Sequence, residues 1–104
     1  MEHNLENSFV NACKRLNALY ALKLFPYVVG IPDRLVLLKG GNVRFVELKD
    51  GKRGRLSPAQ KYVHGKLREY GFEVWVIRDR GDIDEFVRSV GVPEDGEDVD
   101  TGSS

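Results

Sequence analysis

GIPDRLVLLKGGNVRFVELK, residues 30–49, decides the architecture of this chain. Two apolar runs, DRLVLL (33–38) and VRFVELK (43–49), flank Lys39-Gly40-Gly41-Asn42. Glycine pairs between such runs supply the positive φ angles of a tight turn, so the segment predicts a β-hairpin. Both runs are apolar on both faces, which predicts central strands covered by helices. Glu47 and Lys49 interrupt this pattern. At spacing i, i+2 they leave the same face of the second strand. Ionised groups are rarely buried unless paired or metal-bound, so the two form either an exposed ion pair or part of a site. Asp33 opens the first run, and the hairpin returns it to within one or two residues of Glu47. Register then governs the outcome. A two-residue turn at Gly40-Gly41 sets Asp33 against Leu48 and points it away from Glu47. A three-residue loop from Gly40 to Asn42 sets it against Lys49, with Asp33, Glu47 and Lys49 on one face. A shared site requires the odd loop or a bulge.

Outward from the hairpin, residues 5–19 place Leu5, Phe9, Ala12, Cys13, Leu16 and Leu19 at spacings of three and four. That is one apolar stripe on a helix, with Asn4 a candidate N-cap. Residues 20–25 predict a short strand interrupted by Pro26, and 27–32 an extended connection turning at Gly30 and Pro32. DGKRGR (50–55) is a glycine-rich basic loop. Residues 57–70 predict a helix: Ser57 as N-cap, Pro58 at N1 and Gln60 at N3 complete a capping box, and Gly71 follows the end. FEVWVIR (72–78) alternates strictly, as a strand does. Trp75 within it suits core packing better than base stacking. Residues 82–90 predict a last helix capped by Asp82. The sum is an α/β fold, order α-β-β-β-α-β-α. It predicts a mixed four-stranded sheet flanked by helices, with a right-handed parallel crossover around the 57–70 helix.

The chain has 104 residues, the size of one small domain. Its 16 Lys and Arg balance 16 Asp and Glu, but five of the acids lie in residues 94–104. Residues 1–93 therefore carry about +5, a balance compatible with a nucleic-acid partner. We expect a domain over 1–93 and an acidic flexible tail over 94–104, which either is simply solvated or screens the basic face. No stretch approaches the roughly 18 apolar residues of a membrane span, and the first ten residues lack a signal-peptide layout. Cys13, the one cysteine, predicts a buried free thiol and a reducing, cytoplasmic setting.

Two carboxylates beside a lysine suit a hard divalent cation, since Mg²⁺ prefers oxygen ligands and keeps several waters. Such an ion activates water and neutralises phosphate charge. Lys49 can position the attacking water or steady charge that develops on phosphorus. No serine or cysteine nucleophile constellation is evident. Lys52, Arg53 and Arg55 follow the second strand and are candidates for phosphate contacts. Tyr27 is a candidate substrate contact. His64, at i+4 from Gln60, is a weaker candidate base, because a lone helix histidine is more often structural.

Gly30-Ile31-Pro32-Asp33, Val46-Glu47-Leu48-Lys49 and Leu56-Ser57-Pro58-Ala59-Gln60 together resemble the PD-(D/E)xK nucleases, specifically the VRR-NUC family. That family occurs as stand-alone phage and bacterial proteins and as the nuclease domain of larger DNA-repair enzymes. The resemblance spans roughly residues 4–80 and implies a restriction-endonuclease-like fold. It implies that Asp33, Glu47 and the Leu48 carbonyl bind Mg²⁺ or Mn²⁺ and that Lys49 is catalytic. It also implies that Glu6 reaches the metal through water and that Gln60 lies near the active site. The implied activity is DNA endonuclease, with branched or four-way DNA as substrate and a homodimer as the working form. The rival expectation is a catalytically inactive nucleic-acid-binding module of the same fold.

Overall fold

The computed structural model describes residues 2–16, 20–25, 27–49 and 54–91. The chain runs α1 (Glu2–Arg15), β1 (Tyr20–Lys23), β2 (Arg34–Leu38), a 3₁₀ turn (Lys39–Gly41), β3 (Asn42–Leu48), α2 (Pro58–Glu69), β4 (Glu73–Ile77) and α3 (Arg80–Val90). The strands form one mixed sheet in the order β1-β2-β3-β4. The β1–β2 and β2–β3 pairs are antiparallel and β3–β4 is parallel. The two runs that are apolar on both faces occupy the centre, as their composition requires.

The hairpin turns through three residues, placed one step earlier than the sequence led us to expect. Leu38 pairs with Asn42, so the loop is Lys39-Gly40-Gly41 rather than Gly40 to Asn42. Gly40 and Gly41 adopt φ of 80° and 78°, where a side chain would be strained. The consequence for register is direct. Arg34 pairs with Val46, and one step further Asp33 falls opposite Glu47, not Lys49. The odd count keeps both carboxylates on one face.

Strand alternation divides the molecule. Val46, Val36 and Ile77 join Phe9, Ala12, Cys13 and Leu16 of α1 and Ile83 and Phe86 of α3 in a single buried core. The Phe86 ring meets Phe9 and Trp75 edge-on, each at 5.3 Å between centroids. Trp75 is thus partly buried and packs against the edge of the core, its indole N–H satisfied by Glu73 at 2.9 Å. Glu47 is one residue from Val46 and so faces the opposite side, where His64 of α2 meets it.

Three helix boundaries differ from the sequence reading. α1 begins at Glu2, which puts Asn4 inside the helix rather than at its cap, and it ends at Arg15. α3 begins at Arg80, capped by Asp79 rather than Asp82. Asp79 accepts the Asp82 N–H at 2.9 Å, and Asp82 reaches back to the Arg78 N–H at 2.8 Å. An acid at N3 mimics a cap in sequence because both positions complement the same free N–H groups. β1 stops at Lys23, two residues short of the predicted 20–25. The acidic tail lies outside the described residues.

Candidate active site

Asp33 arrives at the site through a short, fixed path. The Ile31 N–H donates to the Val28 carbonyl at 3.1 Å, and the Leu24 N–H to the Asp33 carbonyl at 2.8 Å. Gly30, with φ of 96°, lies so close to α2 that a Cβ there would meet the Ala59 carbonyl oxygen at 2.4 Å. The G-I-P-D turn is therefore docked against the first turn of α2, and only glycine permits that approach. Pro32 is buried beneath it. The Asp33 carboxylate then accepts the Leu48 N–H at 2.9 Å through Oδ2, which ties it across the hairpin to the strand that carries Glu47.

Glu47 is 3% exposed. Its Oε2 accepts from the Gln60 amide at 3.1 Å. The other side of that amide accepts the Ser57 N–H at 2.8 Å, while Ser57 Oγ accepts the Gln60 N–H at 3.1 Å. Both readings of Gln60 thus hold together: it completes the capping box of α2 and holds Glu47. Because its oxygen is committed to Ser57, its N–H₂ must face the carboxylate. Glu47 Oε1 remains buried without a hydrogen-bond partner. Burial, and next the Asp33 charge, push the Glu47 carboxyl up to about 7, against the opposing pull of Lys49.

His64 is fully buried, with both ring nitrogens unpaired. Its Nε2 stands 3.6 Å from Glu47 Oε1, beyond a good hydrogen bond. Burial, with Arg68 and Lys49 nearby, pushes its pKa down, so the ring is neutral at neutral pH and the contact is not an ion pair. Its i+4 spacing from Gln60 on one helix face was the signal for this placement.

Lys49 directly follows β3, its N–H bonded to the Ile77 carbonyl at 2.9 Å. Its stem is packed by Gly54, where a Cβ would lie 3.1 Å from Lys49 Cβ. The Arg78 guanidinium donates to the Gly54 carbonyl and clamps this return of the loop. Gly54 and Arg78 are contributors that sequence reasoning did not place, since only the fold brings β4 to the end of the loop.

Glu6 is engaged differently from the expectation. It pairs with Arg34, which also donates to the Ala21 carbonyl at 2.7 Å. Glu6 nonetheless lines, with Asp33, Arg34, Leu48, Lys23 and Leu24, a cleft of about 280 Å³ at the strand ends. Arg55 is exposed. Lys52 and Arg53 lie outside the described residues.

The donor set fits a hard divalent cation. Two carboxylates converge, one offering a buried oxygen with no partner, and their mutual repulsion is what a cation relieves. Among the described residues, no cluster of three Asp, Glu, His or Cys side chains gathers.

Among solved structures, one described as a VRR_NUC domain superposes with a TM-score of 0.76 at 26% identity. The match covers 84% of this chain and 94% of that one. This chain has the fold of a VRR_NUC domain. The likeness supports the VRR-NUC family resemblance read from the motifs, and with it a nuclease fold. No family model and no curated protein matches the sequence. No helix among the described residues of this VRR_NUC fold is long and apolar enough to cross a membrane.

Proposed function

We propose that the chain is a metal-dependent endonuclease that hydrolyses phosphodiester bonds in DNA, with Mg²⁺ or Mn²⁺ as cofactor. The observation that carries this reading is the Asp33–Glu47 convergence: a buried, unpartnered carboxylate oxygen opposite a second carboxylate, with Lys49 on the same face. Asp33, Glu47 and the Leu48 carbonyl would hold the ion. When bound, the ion supplies charge neutralisation at the scissile phosphate and acidifies water. Gln60 keeps Glu47 Oε2 occupied, which leaves Oε1 for the ion. Lys49, its stem confined by Gly54, presents its ammonium where charge builds on the phosphoryl oxygens as water attacks phosphorus and the P–O ester bond breaks. Glu6 contributes through water at the cleft wall while Arg34 orients it. Arg55, with Lys52 and Arg53, contacts flanking phosphates.

The preferred substrate is branched or four-way DNA and the working form a homodimer, since a chain of this size presents a small footprint by itself. A cleavage panel with Mn²⁺ on linear, flapped and four-way DNA tests the reading. Metal-dependent cutting by the wild type, lost in Glu47→Gln, is expected. Equal cutting by the two proteins would refute the assignment. Metal-independent DNA binding without cutting would favour an inactive binding module.

A further inference from the structure

One exposed feature borders the cleft and has no role in the chemistry above. Phe25 and Tyr27 are 75% and 91% exposed. Their rings stand 6.0 Å apart at 54° to one another, so they do not stack face to face. Large aromatic rings this exposed are unusual for a surface without a partner. Their position is set by two anchors already described. Phe25 directly follows Leu24, whose N–H is bonded to the Asp33 carbonyl at 2.8 Å. Tyr27 lies just before the Val28–Ile31 turn that docks through Gly30 on α2. The Tyr27 N–H in turn donates to the Phe25 carbonyl at 2.9 Å, which holds the two rings on one tight bend. Lys23, two residues earlier, lines the cleft together with Asp33.

We infer that Phe25 and Tyr27 form a stacking ledge for an unpaired nucleobase of the DNA whose backbone enters the cleft lined by Lys23 and Asp33. This deepens the nuclease reading and rests on it. The argument is one of chemical complementarity. A nucleobase offers a π-face to an aromatic ring, and its phosphate offers an anion to an ammonium two residues away. In a paired duplex both base faces are already stacked, so a ledge beside the cleft discriminates in favour of DNA with an unpaired nucleotide at the site. Flaps, gaps and branch points have such nucleotides, whereas blunt duplex does not. A protein partner or a second copy would match the aromatic and apolar part of this bend but would leave the Lys23 ammonium beside it without an anion.

The test is DNA binding by the full-length chain and its Phe25→Ala/Tyr27→Ala variant. Both rings are exposed, so the variant should fold. One probe is a duplex with a single-stranded flap that carries 2-aminopurine at its first unpaired position, and the other is the blunt duplex. Wild type is expected to change the 2-aminopurine emission on binding and to prefer flap over duplex. The variant should lose the emission change, and its flap-to-duplex affinity ratio should fall by at least about fivefold per ring removed. As single substitutions in the wild type, Phe25→Trp should keep the ratio and Phe25→Leu should lower it, which separates stacking from hydrophobic bulk. Wild type that binds both DNAs with no emission change, or a variant with an unaltered ratio, overturns the ledge and leaves the nuclease reading standing. A variant whose mass in solution falls by half with an unaltered ratio assigns the bend to contact between copies and also overturns it. Wild type that binds no DNA overturns both readings.

Discussion

Two residues show how single positions shape the candidate site, and a third shows burial outside it. Glu47 costs stability by being buried beside Asp33, and that cost is what makes it useful to a cation. We expect Glu47→Gln to abolish the heat of Mn²⁺ binding in calorimetry while it leaves the fold intact, because the amide keeps the shape and removes the charge. An unchanged titration would remove Glu47 from the ligand set. Gly30 answers to both local and tertiary demands, a φ of 96° and a 2.4 Å approach to the Ala59 carbonyl. Gly30→Ala should destabilise the protein by about 1–3 kcal/mol in urea unfolding and weaken metal binding, since the turn that presents Asp33 must lift off α2. Cys13 is a case of burial without function. Burial holds its thiol up to about 11, against the pull of Arg34. The neutral thiol is thus favoured in the folded state, while the unfolded thiol ionises from about pH 9. Its contribution is complete below that pH and is lost as pH rises towards about 11. Cys13→Ala should flatten the alkaline limb of the stability profile, read as urea midpoints from pH 8 to 11.

At the scale of elements, α2 does two jobs through one N-terminus. Ser57 and Gln60 cap the helix, and the same Gln60 amide holds Glu47 Oε2. α3 has a cap of similar chemistry in Asp79, which has no link to the carboxylates. The pair makes a controlled comparison. Ser57→Ala and Asp79→Ala should each cost about 1 kcal/mol in chemical denaturation. Only Ser57→Ala should also weaken Mn²⁺ affinity, by roughly tenfold, because a support of a ligand is loosened. Equal metal affinities in the two variants would show that the cap and the site are independent. The loop after β3 follows the same logic: Arg78 of the β4 end holds Gly54, and Gly54 confines the Lys49 stem.

At the scale of the molecule, the sheet separates stability from chemistry. α1 and α3 cover one face with Phe9, Ile83 and Phe86 against Val36, Val46 and Ile77, an apolar core with Trp75 at its margin. α2 covers the other, where Glu47 and His64 are buried beside apolar residues such as Val74. Phe86 touches both Phe9 and Trp75, so Phe86→Ala should cost about 3–5 kcal/mol in denaturant unfolding. Metal affinity in the folded fraction should change little, because the cavity opens on the far face from Glu47. A comparable loss of metal affinity would show that the two faces are mechanically coupled.

The sequence by itself determined the elements and named the candidate site residues. Alternation in 72–78, the heptad-like stripe through Phe9 and Leu16, the Ser57–Gln60 box and the paired glycines are local patterns, and each is set by contacts within a few residues. Glu47 and Lys49 stood out because charge on an otherwise apolar strand is costly wherever that strand is placed. Only the tertiary structure decided the rest. The loop at 39–41 instead of 40–42 moved the pairing by two residues, which set Asp33 opposite Glu47 and kept both on one face. It set Arg34 against Glu6, Gly30 against Ala59, Arg78 against Gly54 and His64 beside Glu47. Those contacts join residues 17 to 29 positions apart, and such distances depend on how whole elements pack rather than on any local pattern. The Asp33–Glu47 pair belongs to both: its members were legible in the sequence, and their meeting was a matter of register.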